Sequence, residues 1–201
     1  MKNKETLILM DWDDTLFPTT WTIKSKINLT DPKIQNKYIV FFSKLDNLLY
    51  KIFLKFSKCG NIVIVTHAMT KWVYISSTIL PNTQQYIKKN IKVISARDLF
   101  QNKISDMVLW KKIIFEKLDQ DLKKKSKLRS IISVGDAEYE LNALINLFDE
   151  ESLKKIKILK SIKFMNSPSF ESLYDQLEVL YDSIDKICNY KKHLDLKFKS
   201  N

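Results

Sequence analysis

Three carboxylates, Asp11, Asp13 and Asp14, follow four apolar residues in the stretch LILMDWDDTLFP, from Leu7 to Pro18. An unpaired carboxylate resists leaving water, and neighbouring carboxylates repel one another. Either a strand ends there in an acidic turn, or the carboxylates are gathered for a cation and a reaction. Two further apolar runs end in groups of complementary chemistry. NIVIV ends in Thr66, and IISV ends in Gly135-Asp136 with Glu140 four residues beyond that Asp. Two carboxylates and a hydroxyl at three strand ends are the content of a magnesium-and-phosphate site, because Mg²⁺ takes carboxylate, water and phosphate oxygens. The ion would also neutralise Asp11 and Asp136 in a shared space.

Such groups must be held by a scaffold, and the hydropathy pattern supplies one. Apolar runs at Thr6–Met10, Ile62–Val65, Ile91–Ile94, Ile131–Val134 and Ile156–Ile162 alternate with helical periodicity. Apolar residues from Ile34 to Phe56 recur at three- and four-residue steps and predict one long amphipathic helix. Gly60 follows it as a left-handed terminator. Trp72–Leu80 and Pro81–Lys88 read as shorter helices, and Ser105 or Asp106 caps one carrying Met107, Trp110, Ile114 and Leu118. Ser167-Pro168 opens a last helix over 168–190, leaving a polar, frayed tail at 191–201. The expectation is a single α/β domain over 1–190: a three-layer, doubly wound, Rossmann-like parallel sheet of about five strands. Sites in such sheets form at the strand carboxyl ends, where the strand order reverses.

Composition narrows the class. No apolar run approaches the ~18 residues of a membrane span, and no signal-peptide pattern opens the chain. Two cysteines, Cys59 and Cys188, fit buried thiols in a reducing, cytoplasmic compartment. The net charge of +11 is carried almost wholly by Lys, with Arg only at 97 and 129. Lys, Asn and Ile are all abundant, as AT-rich coding produces, whereas Arg suits bidentate phosphate recognition. Coding bias and solubility therefore account for the charge first, and a polyanionic partner second. The run KKKSKLR from Lys123 to Arg129 precedes the fourth strand and reads as a solvated loop opposite the site.

Four stretches, in order, resemble the haloacid dehalogenase (HAD) superfamily, in particular its capless or minimal-cap phosphatases. They are LILMDWDDTL, NIVIVTHA, DMVLWKKIIF and IISVGDAEYE, spanning roughly residues 5 to 145. The resemblance implies a Mg²⁺-dependent phosphoric monoester hydrolase. Asp11 would be the nucleophile and Asp13 the general acid and base. Thr66 and a lysine would bind the phosphoryl oxygens. Asp11, the backbone carbonyl of Asp13, and Asp136 would hold Mg²⁺, with Glu140 bonding a metal-bound water. Lys111 is favoured over the adjacent Lys112 by a Trp-Lys pair in related proteins; a helix points the two about 100° apart. The gaps on either side of Thr66 leave no room for a full cap domain. The resemblance therefore implies an open site with a minimal lid, Phe17 to Pro32, and a large or externally presented phosphorylated substrate. Rival readings are a small-metabolite phosphatase, a nucleic-acid-end phosphatase that uses the positive charge, and a catalytically silent binding module.

Simpler roles stand beside these. Asp14 and Thr15 can shape the turn. His67 is either a substrate contact or a plain loop residue. Trp12 and Trp21 lie in the flap, where Trp21 either lines a cleft or packs.

Overall fold

The computed structural model describes residues 5–123, 129–149 and 157–199. The middle of the basic run and Ile156 lie outside them. Six parallel strands form one sheet: β1 Thr6–Met10, β2 Asn61–Thr66, β3 Lys92–Ser95, β4 Ser130–Gly135, β5 Ile158–Lys163 and β6 Leu194–Lys197. The strand order is β3-β2-β1-β4-β5-β6, a Rossmann-like order that reverses between β1 and β4.

Alternation along the central strands explains why both faces are covered. Ile8 and Met10, Ile62 and Ile64, and Ile132 and Val134 pack into one core; Leu7 and Leu9, Val63 and Val65, and Ile131 pack into the other. The first core is closed mainly by α3 (Ile39–Cys59), α5 (Pro81–Asn90) and α9 (Phe170–Asn189). The second is closed by α6 (Ala96–Phe100), α7 (Val108–Lys123) and α8 (Glu138–Asp149). Strands buried on both faces need apolar residues on both parities, which is what the continuous runs provide.

The remaining helices are short: α1 Thr19–Lys24, α2 Pro32–Lys37 and α4 Thr70–Ser76, the last followed by a 3₁₀ turn at Ser77–Ile79. The helix expected over Ile34–Phe56 is broken at Tyr38, where the backbone leaves helical values (φ −105°, ψ 11°). The Tyr38 ring there meets Trp21 edge-on at 5.7 Å. Asp46, buried on α3, accepts the backbone N–H groups of Asn82 (3.1 Å) and Thr83 (2.7 Å) and so caps α5 from a neighbouring helix.

Four local expectations are corrected. Gly60 is extended, not left-handed (φ −176°, ψ −164°); glycine is needed because a Cβ would collide with the backbone carbonyl of Thr6. Ser169, not Ser167, caps α9, accepting from Ser172 N at 3.1 Å, while Ser167 takes a positive φ of 48°. Met107 is exposed and is no core partner of Trp110. The tail does not fray after Lys191: Leu194–Lys197 pairs in parallel with Lys160–Lys163, giving a sixth strand where about five were expected. Phe198 then packs on Phe164, with ring centroids 5.0 Å apart.

Candidate active site

The backbone N–H of Asp11 donates to Val134 O at 2.9 Å, so the β1–β4 ladder runs right up to the first carboxylate. Beyond it the chain folds into a tight turn. Leu16 N and Phe17 N both donate to Trp12 O at 2.9 Å, and Asp14 N donates to Phe17 O at 2.8 Å. Asp14 adopts a positive φ of 52°, a conformation Asp tolerates. Its carboxylate accepts from Thr20 N (2.8 Å) and from the Thr20 hydroxyl, tying the turn to α1. Thr15, fully buried, donates to Asp136 Oδ1 at 3.3 Å. Asp14 and Thr15 thus shape the turn.

Asp13 points inward and is held by three donors. The Thr19 hydroxyl and Trp72 Nε1 (2.7 Å) donate to Oδ1, and Thr66 Oγ1 donates to Oδ2 at 3.2 Å. Thr66 is itself fully buried and accepts from Ala68 N at 2.9 Å. Trp72 and Thr19 were not singled out from the sequence. Trp72 stands six residues after Thr66, in the first turn of α4, and that adjacency was the available signal.

Lys111 on α7 is completely buried, whereas Lys112 is half-buried. The Lys111 ammonium lies 3.0 Å from Asp11 Oδ1 and bonds Glu140 Oε1. The approach to Asp11 is at ion-pair distance but off the hydrogen-bonding direction, and Oδ1 has no hydrogen-bond partner. Burial alone would lower the Lys111 pKa; the carboxylates of Asp11 and Glu140 outweigh it and hold the ammonium charged well above the ordinary lysine range. Asp11 is raised well above the ordinary carboxylate range, first by burial and then by Glu140, Asp13 and Asp136, against the lowering pull of Lys111. Asp136 is pushed up to about 7 by burial, with Glu140 and Asp14 adding to the rise.

Glu140 bridges Lys111 and Ala137 N (3.2 Å), and a Cβ on Gly135 would collide with its side chain. The glycine before Asp136 therefore makes room for this carboxylate. His67 packs edge-on against Tyr139 (4.7 Å) and Trp110 (5.7 Å), its Nε2 buried and unpartnered. Burial, then repulsion from Lys111, lowers its pKa to about 4, so it is neutral at pH 7. Trp12 is fully buried and donates to Ser76 Oγ at 2.8 Å. Trp21 belongs to an aromatic cluster with Tyr38, Phe41, Phe42 and Phe170. The Phe17–Pro32 segment is thus packed down by Phe17, Trp21, Ile27 and Leu29 on the first core.

All six residues expected from the sequence, Asp11, Asp13, Thr66, Lys111, Asp136 and Glu140, are brought to the carboxyl ends of β1, β2 and β4. Among the described residues no group of three or more His, Cys, Asp or Glu side chains is arranged to hold a metal ion. A cation would draw instead on Asp11, Asp136 and the Asp13 carbonyl, with water. The donor set suits Mg²⁺: hard oxygens only, and carboxylates (Asp11, Asp13, Asp136 and Glu140) that outnumber the one ammonium placed among them, Lys111, whose ion pair with Asp11 Oδ1 leaves that oxygen without a hydrogen bond. Comparison of the chain with protein-family models, with curated proteins and with solved structures finds no match. Among the described residues no helix is long and apolar enough to cross a membrane.

Proposed function

We propose that this protein is a Mg²⁺-dependent phosphohydrolase of the HAD type, working through an aspartyl-phosphate. The observation that carries the reading is the contact chain at the switch point of the sheet. Asp11 sits against the buried Lys111, and Asp13 sits against Thr66, on the two sides of one turn. In this reading the Asp11 carboxylate attacks phosphorus. Asp13 gives its proton to the leaving oxygen and then takes one from the hydrolytic water. Thr66 and Lys111 stabilise charge on the equatorial oxygens. Bound Mg²⁺ would supply further charge neutralisation, held by Asp11, Asp136 and the Asp13 carbonyl. Trp72 and Thr19 hold the Asp13 carboxyl in place.

Among the described residues nothing but the packed flap covers the site, which favours a substrate presented from outside. A second observation favours a polyanionic one, such as a nucleic-acid end. An open depression of about 670 Å³ beside Asp136 is lined by Lys163, Lys197 and Lys199 together with Phe164 and Phe198. Lys163 donates to the Asp136 carbonyl at 2.7 Å and pairs with Glu138 at 3.4 Å, so the depression adjoins the site and Lys197 and Lys199 supply its remaining positive charge.

The test is hydrolysis of p-nitrophenyl phosphate with Mg²⁺ and with chelator, in the wild type, Asp11→Asn and Asp13→Asn. Mg²⁺-dependent turnover lost in both variants is the expected result. No turnover, combined with no thermal stabilisation by beryllofluoride and Mg²⁺, would favour a binding module instead.

A further inference from the structure

The chain has only two cysteines, at positions 59 and 188, and the fold brings them together. Cys59 is the last residue of α3 and Cys188 the penultimate residue of α9, two helices packed side by side on the same core. The Cys59 thiol donates to Lys55 O at 3.7 Å, the Cys188 thiol is its neighbour, and both are half-buried. Both line a cavity of about 390 Å³ at the amino ends of β1, β4 and β5, at the opposite end of the strands from Asp11. Its walls include Lys58, Arg129, Lys160 and Lys191, against one carboxylate, Glu5. Glu5 is paired with Arg129 at 3.3 Å.

We propose that Cys59 and Cys188 form a reversible disulfide, and that this basic cavity admits the anionic low-molecular-weight disulfide, of the glutathione kind, that oxidises them. A helix C-terminus ordinarily disfavours a thiolate. Here Lys160 offsets that. Its ammonium is buried at the end of α9, donating to the carbonyls of Ile187 (2.6 Å) and Cys188 (3.2 Å). The neighbouring Cys188 thiol lowers the Cys59 thiol most; Lys160 and Lys55 add to the fall against burial and the Asp185 carboxylate, and the same contact raises Cys188. Cys59 is therefore the attacking sulfur and Cys188 the resolving one.

The steps balance. The Cys59 thiolate attacks one sulfur of the small disulfide and expels the other half as a thiolate. The Cys188 thiol then loses its proton, and its sulfur attacks Cys59 Sγ, expelling the second half. Two protein thiols lose two protons and two electrons, and the small disulfide becomes two thiols. The product staples α3 to α9 across most of the chain length. This site is separate from the catalytic reading and stands or falls without it.

The experiment uses the full chain in glutathione buffers of graded oxidised-to-reduced ratio, followed by intact mass, free-thiol count and thermal melting. The expected product has lost two hydrogens and both free thiols, migrates as a monomer without reductant, and reverts with dithiothreitol. It also melts several degrees higher than the reduced chain, because the unfolded ensemble is constrained. In Cys188→Ser a glutathione adduct should accumulate at Cys59, and faster than any adduct in Cys59→Ser. Added salt should slow oxidation by glutathione disulfide but not by neutral hydroxyethyl disulfide. A persistent glutathione adduct on the wild type, a disulfide-linked dimer, or thiols that react only after unfolding would overturn the disulfide. Equal salt dependence for the two oxidants would overturn the cavity's role.

Discussion

At the scale of single residues, the site is a problem of excess negative charge solved by position. Lys111 is the one fully buried ammonium between Asp11 and Glu140. Replacing it by Met leaves buried carboxylates without a counter-charge. We expect Lys111→Met to lose about 3–5 kcal/mol in urea unfolding, and Lys112→Ala to fall within about 0.5 kcal/mol of the wild type. Trp72 acts on Asp13 through one N–H. Trp72→Phe keeps the edge contact with Phe17 (6.1 Å) and removes only that donor. Under the proposed chemistry its kcat should fall about 10-fold with KM nearly unchanged, because one hydrogen bond contributes about 0.5–1.5 kcal/mol net. Steady-state kinetics on p-nitrophenyl phosphate checks this.

Asp136 gives a signed pH effect. Its folded pKa of about 7 lies above the ordinary 3.8, so the folded state binds more protons between those values. Its contribution to stability is therefore fully present below pH 3.8 and lost as pH rises through 7. In chelator at pH 8, Asp136→Asn should be more stable than the wild type by roughly 2 kcal/mol, after discounting for its partial exposure. The difference should shrink towards pH 4. Melting curves at the two pH values measure it, and added Mg²⁺ should reverse the order at pH 8 if the ion binds there.

At the scale of elements, most boundaries follow from local signals, and the exceptions share a cause. The break at Tyr38, the close approach at Gly60 and the pairing of β6 all depend on a distant partner: Trp21, Thr6 and β5 respectively. Local periodicity carries no information about such partners. The sequence LDLK between charged residues reads as tail until a sheet edge is there to receive it. Ending the chain at Tyr190 should remove that pairing and uncover Phe164. We expect a loss of about 1–3 kcal/mol in denaturant unfolding, from lost ladder hydrogen bonds and apolar burial.

At the scale of the whole molecule, cooperativity should follow the sheet. β1, β2 and β4 are paired and almost wholly buried, whereas β6 is an exposed edge. Native-state hydrogen exchange should place the amides of β1 and β4 at the global unfolding free energy and those of β6 well below it. The sequence by itself determined the parallel α/β class, the strands β1 to β5, and the carboxylates and hydroxyl at the ends of β1, β2 and β4. It could do so because apolar runs and the residues that terminate them are contiguous in the chain. Tertiary structure alone decided that Lys111 rather than Lys112 reaches Asp11, since adjacent helix residues differ only in which way the core lies. It alone brought Trp72 to Asp13, Asp46 to the start of α5, and Cys59 to Cys188. Those meetings depend on how helices cross the sheet, and no local pattern records that.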